Sequence, residues 1–166
     1  PGGMLQYGIP EYRLPEDILA AEIGRILALG VELRLGTGIG REVSVAELKA
    51  QHDILFLGIG ALRARMLGIP GEDGGGLWTG TEYLASINRG EPPALGAEVI
   101  VVGGGNTAID AARTARRSGA RVTLLYRRTR QEMPAIAAEV EDALAEGVTL
   151  TFLAAPVRIN RTGVEV

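Results

Sequence analysis

The sequence of 166 residues predicts an α/β fold built on a parallel sheet. Three observations lead there. From residue 98 to residue 153, apolar runs of strand length alternate with segments of helical periodicity. Hydrophobic residues reach 46% while aromatic residues make up only 4%, so the apolar bulk is Leu, Ile, Val and Ala, the composition of parallel sheets covered by helices. Glycine is abundant, at 24 residues, and several glycines sit where a strand would join a helix.

In chain order, residues 1–15 (PGGMLQYGIPEYRLP) read as a loop rich in Gly and Pro. Pro15 opens a helix, with Glu16 and Asp17 in the first turn, where the helix dipole favours anions. Leu19, Ile23, Ile26 and Leu27 recur at helical spacing, and Gly30 fits a C-terminal cap. A short strand is predicted over 31–35. Ser44 and Glu47 fit a capping box for one or two helical turns. The run DILFLGI, 53–59, is continuously apolar, the pattern of a fully buried strand. Residues 63–76 are irregular and hold GIPGED followed by three consecutive glycines. They are the expected boundary between two domains, 1–66 and 67–166. Thr79 and Glu82 fit a second capping box, which starts a helix towards Asn88. Then follow a strand 98–102, a helix 106–118, a strand 121–126, a helix 131–146 and a strand 148–153. On the last helix Met133, Ile136, Val140 and Leu144 share one face, and Glu132, Glu139, Glu141, Asp142 and Glu146 are expected on its solvated face.

The informative stretch is AEVIVVGGGNTAIDAARTARRSGARVTLLYRR, 97–128. Gly103, Gly105 and Ala108 spell G-x-G-x-x-A directly after a predicted strand and at the opening of an Ala-rich helix. Gly103 permits the tight turn, Gly105 lets a pyrophosphate approach the backbone, and Ala108 lets the helix lie close on the sheet. Gly104, Asn106 and Thr107 complete the loop, and the helix N-terminus offers free N–H groups to phosphates. This is a Rossmann-like dinucleotide site, the other reading being a glycine turn in a nonbinding domain. A domain selective for NAD places Asp or Glu about 20 residues further on, to accept from the ribose 2′-OH. Here the position reads Tyr126-Arg127-Arg128-Thr129-Arg130. Guanidiniums at Arg127, Arg128 and Arg130 suit a 2′-phosphate, so NADPH is the expected cofactor. A solvated basic turn is the bland alternative.

Other chemistries find little support. A net charge of −3 argues against a general nucleic-acid binder. With no cysteine, this chain holds no disulfide, thiolate metal site or iron–sulfur cluster. No metal-ligand spacing appears, and no residue is singled out as catalytic. No apolar run approaches the ~20 residues of a membrane span. No signal peptide is seen, and the cytoplasm is the expected location. His52, the lone histidine, reads as structural. Trp78 and Tyr83 could stack on a nicotinamide or pack at the domain boundary.

Five linked segments, GGMLQYGIPEYRLP, DILFLGIGA, GIPGED, VIVVGGGNTAIDAARTARRSGA and LYRRTRQEMPA, occur in one order over nearly the whole chain. Together they resemble the small (β) subunit of NADPH-dependent glutamate synthase. The flavin module of dihydropyrimidine dehydrogenase is similar but more distant. The resemblance implies a Rossmann-like NADPH domain inserted in a second, here partial, Rossmann-like FAD domain. It implies hydride transfer from NADPH to FAD, iron–sulfur clusters elsewhere in the full protein, and a large amidotransferase-type synthase subunit as partner. It places Gly8, Ile9, Pro10, Arg13, Leu14 and Pro15 near the flavin, Ile39 at the adenine of FAD, and Gly60 and Ala61 at the turn that closes the first domain. The family's FAD glycine loop is missing, so this chain is expected neither to hold FAD stably nor to turn over alone. Both ends read as cuts inside a larger protein, and the exposed final strands carry a risk of dimerisation by edge pairing. Two other readings stay open: an electron-input module for another acceptor, and a noncatalytic assembly domain with a structural glycine loop.

Overall fold

The structure, a computed structural model, describes residues 1–61, 63–160 and 162–166. Helices come first: α1 (Met4–Tyr7), α2 (Glu16–Leu27), α3 (Val45–Gln51) and α4 (Gly80–Asn88). Strands and helices then alternate as β1 (Glu98–Val102), α5 (Asn106–Arg117), β2 (Arg121–Tyr126), α6 (Ala137–Ala145) and β3 (Thr149–Phe152). A hairpin of β4 (Arg158–Asn160) and β5 (Gly163–Glu165) follows.

The three strands β1-β2-β3 form one parallel sheet, with Val99 opposite Val122 and Leu124 opposite Leu150. Parallel neighbours need a crossover, and α5 and α6 supply it. The core lies between sheet and helices. Ile109, Ala112 and Ala115 of α5 pack with Val122 and Leu124 of β2, Leu84 of α4, and Val140 and Ala143 of α6. Leu84, Ile109 and Leu124 are fully buried, each stabilising the fold by about 1.5–3 kcal/mol relative to exposure. The alanines of α5 matter because small side chains let the helix approach the sheet.

The strands expected over 98–102 and 121–126 have those bounds. The third is one residue shorter at each end and gives way to Leu153, at φ 56°, outside the extended region. Both capping boxes form, Ser44 with Glu47 and Thr79 with Glu82. Pro15 stands at the N-cap of α2, and Gly30 lies two residues beyond its C-cap, Ala28.

Four expectations are corrected. The stretch 1–15, expected as a loop, holds the short helix α1. The helix expected over 131–146 is split into a 3-10 turn, Arg130–Glu132, and α6. Pro134 lies between them; it lacks an N–H and drives the preceding Met133 to extended backbone, with ψ at 125°. Met133 and Val140 still face the core, whereas Ile136 and Leu144 are exposed. The other two corrections are the strands 31–35 and 53–59, which do not form. Ile54 and Phe56 are 86% and 89% exposed. A strand needs a neighbour to take its N–H and C=O groups, and none pairs with either run among the described residues. Among the described residues no helix is long and apolar enough to cross a membrane.

Candidate functional site

The glycine turn links β1 to α5. Gly103, at φ 140°, donates its N–H to the Leu125 carbonyl at 3.0 Å, which ties the turn to the end of β2. A Cβ at Gly103 would sit 3.1 Å from the Cβ of Ala108, so the small side chain of Ala108 and the missing one of Gly103 together set how close α5 comes. A Cβ at Gly104 would lie 2.5 Å from the Tyr126 ring, and the Gly104 carbonyl accepts from Ala135 N–H at 3.1 Å. Gly105 differs from both. A Cβ there would meet nothing within 4 Å, so the turn opens outward at this residue.

Gly105 is the N-cap of α5, and no side chain caps the helix. Its carbonyl accepts from the N–H groups of Ala108 and Ile109. The N–H groups of Asn106 and Thr107 find no acceptor among the described residues. Three turns of helix thus end in unpaired donors and the positive end of a dipole, beside an open glycine. The arrangement fits a pyrophosphate. Asn106 does not cap its own helix. Its Oδ1 accepts from Ile136 N–H at 2.9 Å and joins the turn to the start of α6.

The end of β2 comes to the same edge of the sheet. Tyr126 is buried, and its hydroxyl donates to the Glu132 carbonyl at 2.8 Å. The Thr129 N–H and hydroxyl donate to the Glu132 carboxylate at 3.1 and 2.8 Å, and these bonds hold the Glu132 carboxyl below its ordinary pKa. Between these anchors Arg127 and Arg128 are exposed, with no carboxylate partner among the described residues. Arg130 is paired with Glu141. Of the three arginines singled out from the sequence, two are left to meet a ligand.

The residues singled out for a flavin have the following surroundings. Arg13 turns towards α5 and α6: Nη1 donates to both carboxylate oxygens of Asp110, at 2.8 and 2.7 Å, and Nε lies 3.1 Å from Glu139. Leu14 is half-buried and Pro15 begins α2. Ile39 forms an isolated bridge with Val43. Gly60 and Ala61 face Gly2 and Met4 across a cleft of about 420 Å³. Gly8 donates its N–H to the carbonyl of Met4, which lines the same cleft, so the start of the 8–15 stretch adjoins Gly60 and Ala61. Trp78 is half-exposed, Tyr83 is in the core, and His52 is exposed with Nδ1 3.0 Å from the Leu48 carbonyl.

One cluster was not foreseen. The side chain of Arg113, only 6% exposed, pairs with Glu139, with Glu146 at 2.8 Å and with Asp142 at 3.2 Å. The Tyr12 ring stacks with the guanidiniums of Arg113 and Arg117, 4.9 and 3.9 Å from its centroid. Arg117 also holds Glu146 at 2.6 Å. The expectation of a solvated acidic face over 131–146 holds for Glu132, Glu141 and Asp142, which are exposed, and fails for Glu139 and Glu146, which are partly buried. Glu132 accepts from Thr129, Glu141 holds Arg130, and the other three acids surround a buried cation. The sequence held a signal: Arg113 follows Ile109 by four residues, on the face that α5 buries, and Glu139, Asp142 and Glu146 are spaced i, i+3, i+7 to meet it.

This cluster sets an acid response. The hydrogen bonds from Arg117 and Arg113 hold the Glu146 carboxyl at about 2, against an ordinary 4.5. A carboxylate depressed on folding contributes stability above its unfolded pKa and loses it as pH falls through the folded one. Unfolding free energy from urea melts is therefore expected to drop by on the order of 2 kcal/mol between pH 5 and pH 3 through Glu146. Glu146→Gln should remove that part of the slope. Asp110 acts in the opposite direction, since burial raises its pKa against the pull of Arg13, so the Gln variant is the control that isolates Glu146.

The pyridine nucleotide-disulphide oxidoreductase family matches residues 4–166. The chain is similar to the NADP(+)-dependent formate dehydrogenase subunit beta of Moorella thermoacetica, with 50% identity over 159 residues, 93% of this chain and 22% of that protein. It is similar to the NADPH glutamate synthase small chain of Escherichia coli strain K12, with 34% identity over 174 residues, 98% of this chain and 37% of that protein. The chain thus spans well under half the length of these relatives. Among solved structures, a 2-naphthoyl-CoA reductase complex shares the fold, with a TM-score of 0.66 at 23% identity over 89% of this chain and 21% of that one.

Proposed function

We propose that this chain, which belongs to the pyridine nucleotide-disulphide oxidoreductase family, is the NADPH-binding part of a flavin-dependent oxidoreductase. The observation that carries the reading is the placement of Arg127 and Arg128, unpaired among the described residues, at the end of the strand next to the open glycine turn. Gly103, Gly104, Gly105, Asn106, Thr107 and Ala108 would hold the pyrophosphate, and Arg127 and Arg128 the 2′-phosphate. Arg130, engaged by Glu141, would set the edge of that site. The names of the two relatives carry NADP(+) and NADPH, which supports the choice of phosphate form. NADPH bound there supplies a hydride, and FAD in the larger protein would accept it.

A division at 66/67 between a FAD-side and an NADPH-side domain belongs to the same proposal. So does the final use of the electrons, glutamate synthesis with a large amidotransferase-type subunit. A second reading keeps the NADPH site and changes the acceptor. It is favoured by the higher identity to the formate dehydrogenase subunit, 50% against 34%.

Thermal melts test the cofactor. At a hundredfold excess over Kd, NADPH should stabilise the chain by about 2.7 kcal/mol, a rise in Tm of roughly 5–10 °C, and NADH should do less. Equal shifts for the two cofactors, or none for either, would sink the assignment.

A further inference from the structure

Residues 6–13 are fastened to the nucleotide-side unit at both ends. The side-chain amide of Asn88 donates to the carbonyls of Gln6 and Ile9 at 2.9 and 2.8 Å. Gly8 and Pro10 are buried between those bonds and Tyr12. Tyr12 and Arg13 then grip α5 and α6 as described above. Arg13 is the centre of this grip, because it touches both helices that flank the glycine turn. Asp110 lies one turn into α5 from Asn106, the first residue beyond the turn. Glu139 lies one turn beyond Ile136, whose N–H is held by the side chain of Asn106. Two short routes therefore run from the glycine turn to one guanidinium, through α5 to Asp110 and through Asn106 and α6 to Glu139.

The chemistry of the grip makes it respond as a unit. The side chain of Asp110 is 4% exposed and that of Arg13 is 20% exposed. A buried carboxylate tolerates little displacement of the counter-charge paired with it, here Arg13. The Tyr12 ring lies against Arg117 and Arg113, which share one face of α5 with Asp110, so the phenol and the guanidinium of successive residues hold the same face of that helix. Any ligand that stiffens the N-terminus of α5 narrows the positions open to Asp110, and with it those open to Arg13.

We propose that Tyr12 and Arg13 are positioning residues that transmit dinucleotide binding at the glycine turn to the backbone of residues 8–15, through Asp110 on α5 and Glu139 on α6. The proposal rests on the NADPH reading. Its consequence is that the segment leading into α2 is held more tightly when the nucleotide site fills, so the two proposed domains are coupled through this clasp.

Hydrogen–deuterium exchange of this chain, with and without saturating NADPH, tests it, with calorimetry to report binding. The amides of Gly8, Ile9, Glu11, Tyr12, Arg13 and Leu14 are expected to exchange about fivefold more slowly with NADPH bound. Arg13→Met and Asp110→Asn should abolish that protection while the Kd for NADPH changes by less than about threefold. Asp110→Asn keeps the side-chain shape, so it reports even where Arg13→Met weakens the fold. Arg13→Lys should restore part of the protection, which a purely packing role for the side chain would not require. NADPH binding without protection of 8–15, or protection that survives both variants, overturns the clasp and leaves the cofactor reading intact. No heat on titrating NADPH overturns both.

Discussion

Replacing Arg127 and Arg128 together with alanine is expected to erase the preference for NADPH over NADH. Each guanidinium can give a 2′-phosphate a charge-assisted hydrogen bond worth about 1.5–3 kcal/mol. Losing both should weaken NADPH binding by roughly 10²–10⁴-fold. NADH has no phosphate at that position and should keep its affinity within about threefold. Neither arginine has an ionic partner among the described residues, and both are exposed, so the fold should not register the change. Calorimetric titration of both cofactors into the double variant reads the result. A variant that still prefers NADPH would move the phosphate site away from the end of β2.

The second large effect is on stability. Arg113→Met keeps an apolar stem of similar length and removes the charge. It leaves Glu139 without its α5 partner, leaves Glu146 to Arg117 alone, and frees Tyr12 of one of its two guanidiniums. Breaking a fully buried ion pair by removing one member costs about 3–5 kcal/mol. The carboxylates here are partly exposed, 19% for Glu139 and 23% for Glu146, so a loss of about 2–4 kcal/mol is expected. For a chain of this length that corresponds to a fall in Tm of roughly 5–15 °C. A variant within about 0.5 kcal/mol of the parent in urea unfolding would show that the cluster is ornamental.

The parts of the fold that the sequence made legible are those whose causes are local. β1, α5 and β2 could be read almost to the residue, because the glycine turn, the alanine face and the apolar strands each carry their own signal. The capping boxes at Ser44 and Thr79 are local in the same way. What failed was non-local. The runs 31–35 and 53–59 have strand composition, but a strand exists only with a partner, and the described residues offer none. Pro134 was visible in the sequence, yet the apolar spacing of Met133, Ile136 and Val140 concealed the break it makes. The Arg113 cluster was hidden for a related reason. Its partners lie 26 to 33 residues away, and isolated acids on a helix look solvated until the facing helix is known.

The candidate site divides along the same line. The glycine turn and the arginines could be picked out because their spacing follows from strand and helix geometry. Arg13 could not be placed. Its grip on Asp110 spans 97 residues of sequence, and nothing within the segment EYRLP indicates it.

The contact between Gly104 and Tyr126 has a practical consequence for redesign. The ring closes over Gly104, its hydroxyl is fixed by Glu132, and the strand beneath is pinned to the glycine turn through Gly103. The scaffold of this edge is therefore complete without Arg127 and Arg128, which project from it. An engineer could recode those two positions, with acidic or small residues, and change which nicotinamide cofactor is chosen while the platform stays as it is. The same closure makes Gly104 unsuitable as a starting point for such work, since any side chain there would collide with the ring that supports the platform.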